Sequence, residues 1–332
     1  MRRVALNILK VAAAVGVSLI AGYLAFRHVH LKEVVSGIRR ADLVSVGVVL
    51  ALLVAAQVGR SFRLGVMLEP LEPLGQKLLL PITSIGFLFV WILPARLGEM
   101  ARPYLLQQNS RVGLSAAMGS IVLERLIDAS FLVVLLAICL PALRLPAWLL
   151  SSFRGFVYLL LAAAFLVIIG SLPGFRRRLL QGVSKILPES LADFLTRMAE
   201  TFYSGMQAVA SVRRLFTVLA LTGVIWFTNM LVFVVMFHSM GLELGWLAGI
   251  TVLVLTCLGI ALPAAPGFIG NYHYACVVAL TLFGVVKETA LAYAILVHFL
   301  TVAVLVFMGV IFMNTSKLRV GFSLKAATGS KR

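Results

Sequence analysis

The sequence predicts an all-α polytopic membrane protein, with about eight transmembrane helices plus re-entrant or broken helices. Composition is the first reason: 61% of the 332 residues are hydrophobic and 12% are charged, against about 25% charged in soluble domains. Patterning is the second. Apolar runs at 8–26, 43–59, 78–93, 120–142, 156–172, 215–238, 244–262, 268–286 and 289–313 lack the polar residue at every second position that barrel strands need. An internal repeat at an offset of 169 residues is the third.

The run at 8–26 follows Met1-Arg2-Arg3 and precedes Arg27-His28-Val29-His30. It is longer than a signal-peptide core and has no small-residue cleavage site after it, so it reads as an uncleaved first helix. With the N-terminus inside and 78–93 entering and leaving on one face, 21 of the 29 Lys and Arg fall on the inner side and 7 on the outer. This bias predicts both termini in the cytoplasm, within the plasma (cytoplasmic or inner) membrane. The four basic residues of 27–42 run against it. A formal charge of +17 is thus a matter of loops and lipid headgroups rather than of nucleic acid.

Residues 1–332 form one integral membrane domain in this reading, with repeat halves at 43–142 and 212–313. The intervening 173–214 segment opens on Pro173-Gly174-Phe175-Arg176-Arg177-Arg178 and spaces Phe194, Met198, Phe202 and Met206 four apart. It is expected to be an amphipathic cytoplasmic connector, either gathering anionic lipid or simply solvated.

The repeat is anchored by Leu93-Pro94-Ala95-Arg96-Leu97-Gly98 and Leu262-Pro263-Ala264-Ala265-Pro266-Gly267. The same offset carries 43–59 onto 212–228 and 120–142 onto 289–311, and the charge-derived topology turns the members of each pair in opposite directions. That is the pattern of an inverted-topology repeat whose broken helices meet at a midplane site. Proline removes a backbone donor, and a helix stops at membrane depth only where protein or a watery cavity satisfies the freed groups. The expected breaks are Pro94 and Gly98 in one half, and Pro263, Pro266, Gly267 and Gly270 in the other.

Charge collects beside the first break. Arg96, Glu99 and Arg102 are three apart, hence on one face of a continuing helix, and Glu124, Arg125 and Asp128 lie in the next apolar run. An ionisable group at membrane depth costs about 2.5–3.5 kcal/mol on insertion scales and so pairs or faces a cavity. One reading has arginines receiving a phosphate through their planar donor fork while the carboxylates position them; a salt-bridge lock between helices is the other. His273, after the second break, is the candidate proton-coupled group, or else a packing residue. His238 and His298 look isolated. Trp91, Trp148, Trp226 and Trp246 suit an interfacial belt, and Cys139, Cys257 and Cys276 read as core residues. No cofactor or metal is expected, because phosphate-loop, His-Glu-x-x-His and Gly-x-Ser-x-Gly motifs are missing.

These blocks together, Leu93-Pro-Ala-Arg-Leu-Gly-Glu-Met-Ala-Arg102, then Glu124-Arg-Leu-Ile-Asp128, then Leu262-Pro-Ala-Ala-Pro-Gly-Phe-Ile-Gly270, resemble the lysylphosphatidylglycerol synthase transmembrane region, or flippase-like domain, family. The resemblance spans nearly the whole chain. It implies a domain that moves a phospholipid or related lipid between leaflets, and it carries Arg96, Gly98, Glu99, Arg102, Glu124, Arg125, Asp128, Pro263, Pro266, Gly267 and Gly270 over as matching positions. Family members commonly have a second glycine where Phe268 stands and a glutamate where His273 stands. The soluble synthase domain of the aminoacyl-lipid proteins has no counterpart in the sequence, so lysyl transfer is not expected. The sequence therefore predicts a non-enzymatic lipid translocase acting on an anionic phospholipid or a polyprenyl-phosphate-type lipid, with a separate lipid-modifying synthase as a possible partner. The alternatives are a membrane enzyme using Glu99 or Asp128 as a general base, and an accessory protein that recruits a synthase through 173–214.

Overall fold

The computed structural model describes residues 16–319 apart from 28, 40, 144–145, 173, 176–177, 179–188 and 263. Helices account for nearly all of it, with no strand among the described residues. In order they are α1 (Gly16–Phe26), α2 (Leu31–Arg39), α3 (Leu43–Leu68), α4 (Gln76–Ile92), α5 (Ala101–Asn109), α6 (Leu114–Cys139) and α7 (Ala147–Ser171). After the connector follow α8 (Glu189–Ser204), α9 (Val212–Ser239), α10 (Trp246–Ala261), α11 (Asn271–Thr281) and α12 (Lys287–Thr315).

Leu43–Leu68, Ala147–Gly170, Val212–Ser239 and Lys287–Thr315 are long and apolar enough to cross a membrane. At 1.5 Å per residue the 26-residue α3 rises about 39 Å, beyond the ~30 Å hydrocarbon core. Helix α6 is equally long, and its apolar course is interrupted by Glu124, Arg125 and Asp128. The runs at 244–262 and 268–286 behave differently from simple spans. They fold as α10 of 16 residues and α11 of 11, about 24 and 17 Å long, and so match the 17-residue α4 and 9-residue α5 of the first break.

Each element from α3 to α6 thus has a counterpart in α9 to α12 displaced by about 169 residues. Helix α3 packs along α9, and their contacts run in opposite directions: the Asp42 amide donates to Ser239 at one end, while Arg63 bonds Thr222 toward the other. Arg60 and Asn229, exactly one offset apart, touch at 3.2 Å.

Backbone chemistry fixes both breaks. Leu93 leaves the helix at φ −86°, ψ 137°, and a 3₁₀ segment, Pro94–Met100, folds back on α4. Gly98 there lies so close to the Phe89 carbonyl that an added Cβ would overlap it. At the second break Gly267 and Gly270 adopt φ of +70° and +90°, which L-residues with a Cβ rarely tolerate; Gly270 also lies against the Ser18 carbonyl of α1. Of the connector, α8 packs on the start of α6, where the Ser120 hydroxyl donates to the Gly205 carbonyl at 2.7 Å. Phe194 and Met198 are exposed, Met206 buried, and 179–188 lie outside the described residues.

Candidate functional site

Four elements bring charge to one place. Helix α3 supplies Arg60 and Arg63, α5 supplies Arg102, the 3₁₀ segment supplies Glu99, and α6 supplies Glu124, Arg125 and Asp128. Glu124 is the hub, buried to 1% exposure. Arg102 donates to it through both terminal nitrogens at 3.1 and 2.7 Å, Arg63 approaches at 3.2 Å, and Arg125 donates at 3.0 Å. Asp128 receives both terminal nitrogens of Arg63 at 2.6 and 3.0 Å, and the Trp226 indole N–H at 2.9 Å. Paired, bidentate geometry of this kind is what lets an ion survive burial, since an isolated charge at such depth is prohibitive.

The arrangement redistributes the residues expected from sequence. Arg102 has both terminal nitrogens committed to Glu124 and reads as an anchor. Glu99 and Arg125 pair more loosely, at 3.8 Å, with side chains 27% and 38% exposed. The side chains of Pro94 and Arg96, and Pro263 altogether, lie outside the described residues. Arg60 and Arg63, which follow the apolar run at 43–59 and count as inner-side loop charges in the orientation argument, lie inside α3. Their i, i+3 spacing at the end of an apolar run was the sequence signal that both face one way.

Arg60 is the exception in the cluster. It donates to the side-chain carbonyls of Gln57 and Asn229, both at 3.2 Å, and lies over the Phe87 ring at 5.0 Å, but makes no ion pair among the described residues. Among the described side chains, four guanidiniums therefore face three carboxylates. Arg102 and Arg125 also lie within 6 Å of Phe87, at 5.4 and 5.9 Å, where the negative face of the ring is attractive to cations. Arg60, Arg63, Glu99, Arg125, Asp128 and Asn229 line a cavity of about 180 Å³ that also reaches Phe268 and Tyr272 of the second break. A larger cavity, about 830 Å³, lies elsewhere, lined by residues of α6, α7 and α8 that include Glu200 and Tyr203.

The second break is neutral. Asn271, at the position equivalent to Arg102, donates to the Gly259 carbonyl at 3.3 Å, and Tyr293, equivalent to Glu124, donates to the Phe233 carbonyl at 2.8 Å. His273 is not isolated from His298: their rings meet at 3.3 Å. His298 Nε2 donates to the Gly267 carbonyl at 2.8 Å, so its Nδ1 accepts from His273 Nε2–H, whose own Nδ1 accepts from the Gly270 amide at 3.4 Å. This tautomer assignment follows from the partners, and only neutral rings satisfy all three bonds. Trp91 packs on Phe268 and His298 at 5.1 and 5.4 Å and the Trp226 indole N–H serves Asp128, so both have partners inside the protein; Trp148 and Trp246 are exposed. Replacing His298 with Phe should leave the Gly267 carbonyl without its donor and cost about 1–3 kcal/mol, read as a lower melting temperature in detergent.

Residues 11–309 match the family model described as the lysylphosphatidylglycerol synthase TM region. The chain belongs to this family. Among curated relatives, UPF0104 membrane protein MJ1078 of Methanocaldococcus jannaschii is similar, 27% identical over 228 residues that cover 66% of this chain and 90% of that one. No solved structure matches. Family membership and the apolar helices together make this a membrane protein related to lipid modification or transport.

Proposed function

We propose that the protein is a lipid translocase, carrying the phosphate-bearing headgroup of an anionic phospholipid or polyprenyl-phosphate-type lipid through the charged cavity while the chains stay in apolar surroundings. The observation that carries this is Arg60, a cation with no carboxylate partner among the described residues, lining a cavity in which every carboxylate already has an arginine. One uncompensated positive charge suits one phosphodiester. A phosphate crossing hydrocarbon unaided would be left unsolvated at a cost of many kcal/mol, and the cluster supplies guanidinium donors in place of water.

The repeat supports the same reading. The antiparallel α3–α9 pair, the paired breaks and the Arg60–Asn229 contact are the features expected of an inverted-topology repeat with a site at its axis. In that arrangement the termini are cytoplasmic and the halves open alternately to the two leaflets. One half carries the charges and the other the neutral histidine pair, so the two openings differ in chemistry.

Liposomes reconstituted with matched amounts of wild type and Arg60→Ala test the reading. Labelled phosphatidylglycerol should move between leaflets faster than in protein-free liposomes, and Arg60→Ala should lower the rate at least ten-fold. No movement of phosphatidylglycerol or of a polyprenyl phosphate above the protein-free rate overturns it, and transfer of a group from a donor to the lipid would then identify a membrane enzyme.

A further inference from the structure

A second, apolar cavity of about 430 Å³ lies between α5, α6 and α7, lined by Met100, Pro103, Ile121, Val122, Phe156 and Leu160 among others. Among the described residues its only charged lining residues are Glu99 and Arg125, and these two also line the charged cavity. The two spaces therefore meet at one ion pair. That pair is the most open in the cluster: Arg63, Arg102 and Glu124 have side chains no more than 2% exposed, against 38% for Arg125 and 27% for Glu99. Arg125 Nε makes no hydrogen bond among the described residues.

We infer that this groove holds one hydrocarbon chain of the lipid whose phosphate occupies the charged cavity, and that the Glu99–Arg125 pair is the gate at which head and chain part. The inference rests on the translocase reading and specifies its substrate as a chain-bearing amphiphile, not a soluble anion. Charge complementarity selects the occupant. A molecule lying along both spaces meets apolar side chains, then a cation and carboxylate in loose contact, then the surplus cation Arg60; an anionic lipid has that order of apolar and charged parts. A phosphate arriving at Arg125 competes with Glu99 for the guanidinium, and the 3.8 Å separation shows how little contact must be given up. The Glu124–Arg102 pair, closed on both nitrogens, holds the frame meanwhile.

The surface of α12 provides a control. It carries an apolar depression of about 480 Å³ lined by Phe299, Val306 and Val310 with no charged lining residue, and any chain held there is ordinary surrounding lipid. Binding of phosphatidylglycerol to the detergent-solubilised full chain is measured for wild type, Ala163→Phe, which fills the groove from α7, and Val310→Phe. Ala163→Phe should weaken binding at least ten-fold and Val310→Phe should not. If Ala163→Phe does not fold, Ala163→Cys alkylated after purification, against wild type treated identically, supplies the bulk. Equal affinity in all three proteins, an equal loss in both variants, or no saturable binding by wild type overturns the groove. Leaflet movement separates the two readings: wild-type rates in Ala163→Phe beside an inactive Arg60→Ala refute the groove and keep translocation, while groove-dependent binding without any movement keeps the groove and removes translocation.

Discussion

Glu124→Gln should be the most destabilising single substitution in the protein. Glutamine keeps the size of the side chain and can still accept a hydrogen bond, so packing is nearly unchanged and the loss is electrostatic. Three arginines from three helices, Arg63, Arg102 and Arg125, lean on this one carboxylate. Breaking a buried pair by removing one partner typically costs about 3–5 kcal/mol because the other charge is stranded, a large share of the ~5–15 kcal/mol that holds most domains folded. Asp128→Asn should cost less, because Arg63 retains Glu124 and the Asp128 side chain is 10% exposed. Glu99→Gln should cost least, since the one ion pair it makes among the described residues is loose and about a third exposed. Melting temperatures in detergent should fall in that order. Adding Arg102→Leu to Glu124→Gln removes a stranded charge and should recover part of the loss, since the two residues are directly coupled. A double variant less stable than Glu124→Gln alone would mean that Arg102 is held by something other than Glu124.

The parts of this architecture legible in the sequence are those where backbone chemistry forces the residue type. The two Leu-Pro-Ala-x-x-Gly stretches announce the breaks because proline cannot continue a hydrogen-bond ladder and Gly267 must take a positive φ. Glu99, Arg102, Glu124, Arg125 and Asp128 were legible as a cluster because charge stands out against apolar runs. Their division of labour was not. Which arginine is anchored and which is free depends on distances between helices, and spacing along one helix is silent about those. Arg60 and Arg63 passed as a cytoplasmic flank because a basic residue ending a membrane helix ordinarily is one. His298 looked isolated for the related reason that its partner, 25 residues away, is brought to it by the fold of α11 on α12. Likewise, the shortness of α10 and α11 was hidden by apolar residues that run on through the turns beyond them.

The surplus charge makes a sharper prediction than loss of activity, because it can be moved in both directions. Arg60→Gln brings the cluster's four guanidiniums (Arg60, Arg63, Arg102 and Arg125) level with its three carboxylates, counted among the described residues, and Glu99→Gln raises the surplus from one to two. A unit charge about 5 Å from a phosphate, at an effective dielectric near 20, contributes about 3 kcal/mol, or roughly a hundred-fold in affinity. Glu99 is partly exposed and solvent weakens its effect, so nearer ten-fold is expected there. Phosphatidylglycerol should bind weakest to Arg60→Gln, more tightly to wild type and most tightly to Glu99→Gln; phosphatidylcholine, with no net charge, should show little of this trend. Transport should not follow the same order. A carrier must release what it binds, so Arg60→Gln slows leaflet movement by failing to capture the headgroup, and Glu99→Gln slows it by holding on, with the fastest rate in wild type. Affinities that are alike across the three proteins would show that the cavity does not read charge, whatever the effect on rate. A Glu99→Gln protein that binds more tightly and also moves lipid faster would show that capture, not release, limits transport.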